Sequence, residues 1–114
     1  MGVIQHNAIL ATAWSEECFL SARDWIGTLD EGERQMFFSM HSPVNSFWTV
    51  VLTPDGSKEG WPESEQGDAL RDAFIAFLST SDTGCWQWIE VGYGELGAQI
   101  VRTNCALEEE EGDE

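Results

Sequence analysis

The sequence predicts an α+β fold: a two-layer ferredoxin-like βαββαβ sandwich with an additional C-terminal strand, its antiparallel sheet carrying two helices on one face. Three observations carry this prediction. Strand-like and helix-like segments follow one another in the order β-α-β-β-α-β-β, which contains two β-α-β halves. The chain has 114 residues, the length of one domain with one core. Six Trp and six Phe supply the large buried areas such a core needs. Right-handed crossovers place the first strand and the later strands centrally. Another α+β sandwich built around a meander fits the same element order. Residues 1–107 form the predicted domain and 108–114 a disordered acidic tail.

His6–Trp14 (HNAILATAW) is apolar and suits the first strand. Ser15 then reads as an N-cap, with Glu16 and Glu17 in the first turn, where the helix dipole favours negative charge. Cys18, Ala22, Trp25, Ile26 and Leu29 recur at helical spacing, so the first helix covers 16–29. Asp30–Glu33 is read as its exit. Met36–His41 is a short strand, broken by Ser42–Ser46. Phe47–Thr53 (FWTVVLT) is β-branched and aromatic, the strongest strand signal in the chain. Pro54-Asp55-Gly56-Ser57 is a turn in which Pro presets φ and Gly accepts positive φ. The second helix covers 64–79, with Leu70, Phe74, Phe77 and Leu78 as its apolar stripe. Ala69, Ala73 and Ala76 are expected to allow close approach, and Glu65, Asp68, Arg71 and Asp72 to face solvent. Trp86–Tyr93 (WQWIEVGY) alternates as a strand, and Gly94–Gly97 turns the chain into a last strand, Ala98–Thr103.

Charge is the strongest functional signal. There are 21 acidic residues against five basic ones, a formal charge of −16. The tail holds six of the acids; the remaining 15 against five bases leave residues 1–107 at about −10. Such a body repels nucleic acid and anionic membrane and attracts basic protein surfaces. Glu65, Asp68 and Asp72 lie three to four residues apart, so they share a helical face at intervals of roughly 5–6 Å. Carboxylates at that pitch imitate a phosphate track; the plainer reading is a solvated face.

Catalytic chemistry finds little support. His6 and His41 are the only histidines, and neither sits beside a nucleophile motif. The Gly, Ser and Lys of residues 54–60 stand in the wrong order for a phosphate-binding loop, and no calcium-loop pattern is present. The expectation is a protein without enzymatic activity, metal or cofactor. Cys18, Cys85 and Cys105 form no metal spacing and are expected to be reduced and mostly buried. Pairing Tyr93 with Ala98 sets Cys85 and Cys105 close together on opposite faces; a one-residue bulge would align them, giving a disulfide in an oxidising compartment. No apolar run has the length of a membrane span, and no signal peptide is visible, so a cytoplasmic location is expected.

In a two-layer fold one sheet face lacks helices. Both faces of both aromatic strands carry bulk here: Trp86 and Trp88 oppose Ile89, Val91 and Tyr93, and Trp48, Val50 and Leu52 oppose Phe47, Thr49 and Val51. The open face is either covered by the loop around Trp61 and the tail, or an apolar patch for a partner.

The strings HNAILATAW, SPVNSFWTVVLTPDGSKEGW, SEQGDALRDAFIAFL and WQWIEVGYG, in order over residues 6–102, resemble a family of small acidic bacteriophage and prophage proteins without an assigned activity. The resemblance brings no catalytic residues with it. It implies a phage-encoded protein working in a bacterial cytoplasm, where small acidic proteins often inhibit host proteins.

Together these readings lead to a non-enzymatic inhibitor of a basic, nucleic-acid-binding protein, a DNA mimic in charge. Glu65, Asp68 and Asp72 supply the carboxylates, and Trp61, Trp86 and Trp88 the aromatic anchors. Two alternatives stand beside it: a small-ligand binder with a pocket between Trp61, Trp86 and Trp88, and a structural protein that dimerises through its open sheet face.

Overall fold

The computed structural model describes residues 5–54, 62–80 and 86–106, with side chains in the last helix from Glu65 onward. The elements are β1 (Gln5–Ala13), α1 (Glu16–Gly27), α2 (Glu31–Arg34), β2 (Phe37–His41), β3 (Trp48–Leu52), α3 (Pro62–Thr80), β4 (Trp86–Gly94) and β5 (Gln99–Thr103). They form an α+β structure with one five-stranded antiparallel sheet and three helices among the described residues. The strand order is β2-β3-β1-β4-β5. The segment with α1 and α2 joins β1 to β2 past β3, and the segment with α3 joins β3 to β4 past β1.

β1 is the hub. Its Ile9, Leu10 and Ala11 stand opposite Leu52, Val51 and Val50 of β3 on one side, and Glu90, Ile89 and Trp88 of β4 on the other. Alternation along each strand therefore sorts the residues into two faces. Ile9, Ala11, Ala13, Val50, Leu52, Trp86 and Trp88 share the inner face and join Cys18 and Ala22 of α1 and Leu70, Phe74 and Leu78 of α3 in one core. Phe74 is fully buried and lies between the Trp25 ring, stacked at 5.8 Å, and the Phe37 ring, edge-on at 5.1 Å.

Ser15 caps α1 as its sequence foretells, its Oγ accepting from Cys18 N at 3.4 Å. The stretch read as an exit from the first helix instead forms α2. Asp30 Oδ1 accepts from Glu33 N at 2.9 Å, and Glu33 Oε1 accepts from Asp30 N at 3.3 Å, a capping box that closes a single turn.

Two expectations about α3 are corrected. Ala69, Ala73 and Ala76 face solvent, so the helix approaches the sheet through its larger side chains. Arg71, assigned to the outer face, is buried to 5 % exposure because a buried carboxylate on the sheet draws it inward.

Between β4 and β5 the register starts as expected, with Gly92 opposite Gln99 and Val91 opposite Ile100, then shifts so that Glu90 meets Arg102 and Ile89 meets Thr103. Val101 is the extra residue, a bulge in β5. Beyond it β5 is fastened to β4 by side chains. Asn104 Oδ1 accepts from Trp88 N at 2.9 Å, and Asn104 Nδ2 donates to Trp86 O at 2.8 Å.

The cysteines depart from expectation. Cys18 is disulfide-bonded, and Cys105 is a free thiol exposed at the end of β5. The expectation of reduced, buried thiols therefore holds for Cys18 in its burial alone and for Cys105 in its reduced state alone. A disulfide between Cys85 and Cys105 does not form. The turn at Asp55–Ser57, Trp61 and the tail 108–114 lie outside the described residues. No helix is long and apolar enough to cross a membrane among the described residues.

Candidate functional site

The helical layer gathers most of the described carboxylates. Glu16, Glu17 and Asp24 on α1, Glu31 on α2, and Glu65, Asp68 and Asp72 on α3 are all exposed. The three on α3 share a helical face, as their spacing requires, but they are not a uniform track. Asp68 pairs with Arg71 one turn on, and Asp72 Oδ1 accepts from Arg102 Nη1 at 2.9 Å. Glu65 has no ion pair among the described residues. Two of the three expected contact carboxylates thus already hold arginines, although their side chains remain 60 % and 67 % exposed.

Those arginines converge on Glu90, which no function-directed reading of the sequence singled out. Its side chain is 3 % exposed on the inner face of β4. Glu90 Oε1 accepts from Arg102 Nε at 2.7 Å, Oε2 accepts from Asn7 Nδ2 at 3.2 Å, and Arg71 Nε lies 3.7 Å from Oε2. The hydrogen bond to Glu90, above all, raises the Arg102 pKa; burial opposes it, and Asp72 adds to it. A buried carboxylate needs such partners, since leaving it bare would cost several kcal/mol, on the order of its effective desolvation. The signal was in the sequence: Glu90 has the parity of Trp86 and Trp88, so an acid stands on a core face.

Beside α3 runs a cleft of about 590 Å³ between α2 and α3. Met36, Ala69 and Leu70 give it an apolar floor, and Asp30 and Glu33 give it an acidic edge. The capping box that folds α2 also fixes these two carboxylates there. An apolar floor with carboxylates at its edge suits a Lys or Arg side chain, whose stem lies on hydrocarbon while its head stays at the wet, charged edge.

The expected aromatic anchors are elsewhere. Trp86 and Trp88 are 2 % and 7 % exposed, packed under the helices, and offer no ring to a partner. Their indole N–H groups find no acceptor among the described residues. Sequence parity placed them together correctly; it did not say that theirs was the face the helices cover. Trp61 is outside the described residues. A second cleft of about 490 Å³ involves Trp14, Glu16, His41, Ser46 and Trp48, with His41 stacked on Trp48 at 3.9 Å. Neither cleft is lined by Trp86 or Trp88.

The outer face of the sheet lies on the side away from the core that the helices cover, and its described residues are strongly apolar. Phe38, Val51, Leu10, Ile89 and Thr103 lie opposite one another in a single row across all five strands. Phe38, Leu10 and Met40 are 61 %, 42 % and 62 % exposed, and Tyr93 and Ile100 are exposed beyond them. The strand residues that register assigns to this face include no Asp, Glu, Lys or Arg.

No family model, no curated protein and no solved structure matches this chain.

Proposed function

We propose that this protein is a non-enzymatic interaction module that binds, and thereby inhibits, a basic nucleic-acid-binding protein through the carboxylates of its helical layer. The observation that carries the reading is the cleft between α2 and α3, where Asp30 and Glu33 edge a floor of Met36 and Leu70. A Lys or Arg of the partner enters there, and the exposed carboxylates of α3 continue the contact. With a formal charge of −16, the chain steers such a partner from a distance. The partner's nucleic-acid site is then occupied by carboxylates instead of phosphates.

The proposed setting is a bacterial cytoplasm and a phage-type protein, as the resemblance implies. The disulfide at Cys18 is the feature that weighs against a reducing compartment. The two skipped crossovers favour a ferredoxin-like classification of the sheet, with β5 added beside β4.

The test is capture of a partner from bacterial lysate by the tagged chain, eluted on a salt ladder. A basic nucleic-acid-binding protein released at moderate salt is expected. Its affinity should fall steeply as salt rises. The combined change Glu65→Lys, Asp68→Lys and Asp72→Lys, in protein shown to be folded by circular dichroism, should abolish capture. Unchanged capture would refute the role of α3.

A further inference from the structure

We propose that the open face of the sheet is a self-association surface, and that two copies of this chain pair through it, sheet against sheet. This goes beyond the carboxylate reading, which concerns the opposite side of the molecule.

The argument begins with where charge is missing. The chain is acidic overall, yet the register-assigned strand residues of this face include no Asp, Glu, Lys or Arg. The exposed carboxylates of α1, α2 and α3 belong to the other side of the sheet. A basic partner is drawn to that other side. A second copy has a reason to choose the sheet face, because among the described residues it is the surface on which two strongly negative molecules can meet without bringing carboxylates together. Packed sheets lie about 10 Å apart, and each helical layer stands roughly another 10 Å beyond, so the two acidic layers end up about 30 Å from one another. That is several times the screening length of about 8 Å at physiological salt. Pairing through the helical layers would instead press like charges into contact.

Area is adequate for a weak, specific dimer. Five strands about 4.8 Å apart and roughly 20 Å long give on the order of 500 Å² of face per copy. A pair then buries about 1,000 Å², near the lower end of specific interfaces. Phe38, Met40 and Leu10, 61 %, 62 % and 42 % exposed, provide the apolar contacts, and the row from Phe38 to Thr103 gives the interdigitating ridge. The same patch on both copies satisfies a two-fold axis.

The experiment is sedimentation velocity on the intact chain from about 1 to 300 µM, in low and high salt, a range that brackets an interface of this size. The expected result is a reversible shift from the 12.7 kDa single chain to a species of twice that mass. The dimer should tighten several-fold as salt rises, because salt screens the residual repulsion between copies and strengthens apolar burial. This is the opposite sign to the salt response of a basic partner on the helical layer, so the two readings fail separately. Leu10→Glu at the centre of the face should weaken the dimer roughly 100-fold or more, since it buries an unpaired charge. Met40→Glu, on the edge strand at 62 % exposure, gives a second probe that leaves the core untouched. A single-chain mass at every concentration and salt would overturn the proposal. So would a dimer that weakens with salt, or one that persists in folded Met40→Glu protein. Capture of a foreign protein by this face, lost in Met40→Glu while the chain stays single, would overturn it in favour of that occupant.

Discussion

Arg102 and Glu90 stand opposite one another on neighbouring strands, with Arg102 Nε donating to Glu90 Oε1 at 2.7 Å. The pair links three elements at once, because Arg102 Nη1 also donates to Asp72 on α3 at 2.9 Å. From the other side of the carboxylate, Arg71 brings α3 onto the sheet and Asn7 brings in β1. A single buried acid thus ties the edge strand β5, the hub strand and the long helix together at the end of the inner face where the apolar core gives out.

Glu90→Ala should lower stability by about 3 kcal/mol, the range seen when one partner of a buried ion pair is removed and the other is stranded. The partner that loses its buried carboxylate is Arg71, whose side chain is 6 % exposed and which keeps the exposed Asp68. Urea unfolding should show a lower midpoint at unchanged slope.

Arg102→Lys should cost about 1 kcal/mol, discounted because solvent reaches Arg102, and the loss should be nearly flat from about pH 6 to 9. The sign follows from linkage. Arg102 has a raised pKa in the folded state, chiefly from its hydrogen bond to Glu90. Its stabilisation is therefore fully present below the unfolded value and is lost only as pH climbs through the still higher folded value, far above this window. Denaturation of both proteins across the window checks it; a difference that vanishes toward pH 9 would contradict the assignment.

Alkylation of the native protein should label Cys105 rapidly, whereas Cys18 should label only after reduction. Peptide mass mapping with and without reductant reads this directly. Cys18→Ser should lower stability by about 2–4 kcal/mol in oxidised protein, and by much less in protein kept reduced throughout.

Much of this architecture was legible because the strongest signals are local. Ser15 followed by Glu16 and Glu17 located the start of α1 correctly. The alternation of WQWIEVGY sorted Trp86 and Trp88 from Ile89, Val91 and Tyr93 as the register does. What parity does not supply is which face the helices choose, so in the sequence two core tryptophans look like contact residues. Asp30-Glu31-Gly32-Glu33 reads as a helix exit because a four-residue helix containing Gly has weak propensity, and its only mark is the acid three residues after the cap. Spacing sets Glu65, Asp68 and Asp72 on one face, yet the partner of Asp68 is Arg71 within the helix and that of Asp72 is Arg102 on a strand thirty positions away, a pairing no local window contains. The disulfide at Cys18 is likewise something that spacing alone does not encode.

Val101 carries one last implication, for how this chain can change over generations. Ile100 and Arg102 have the same parity, and plain alternation would send both to one side of the sheet. The bulge inserts a half-step between them, so Ile100 joins the apolar face while Arg102 reaches Glu90. Loss of that one codon would set Arg102 directly after Ile100, and plain alternation would then bring the guanidinium opposite Glu90 with no bulge at all. The inherited constraint in this stretch is therefore on the meeting of Arg102 with Glu90, and residue 101 itself should tolerate both substitution and deletion.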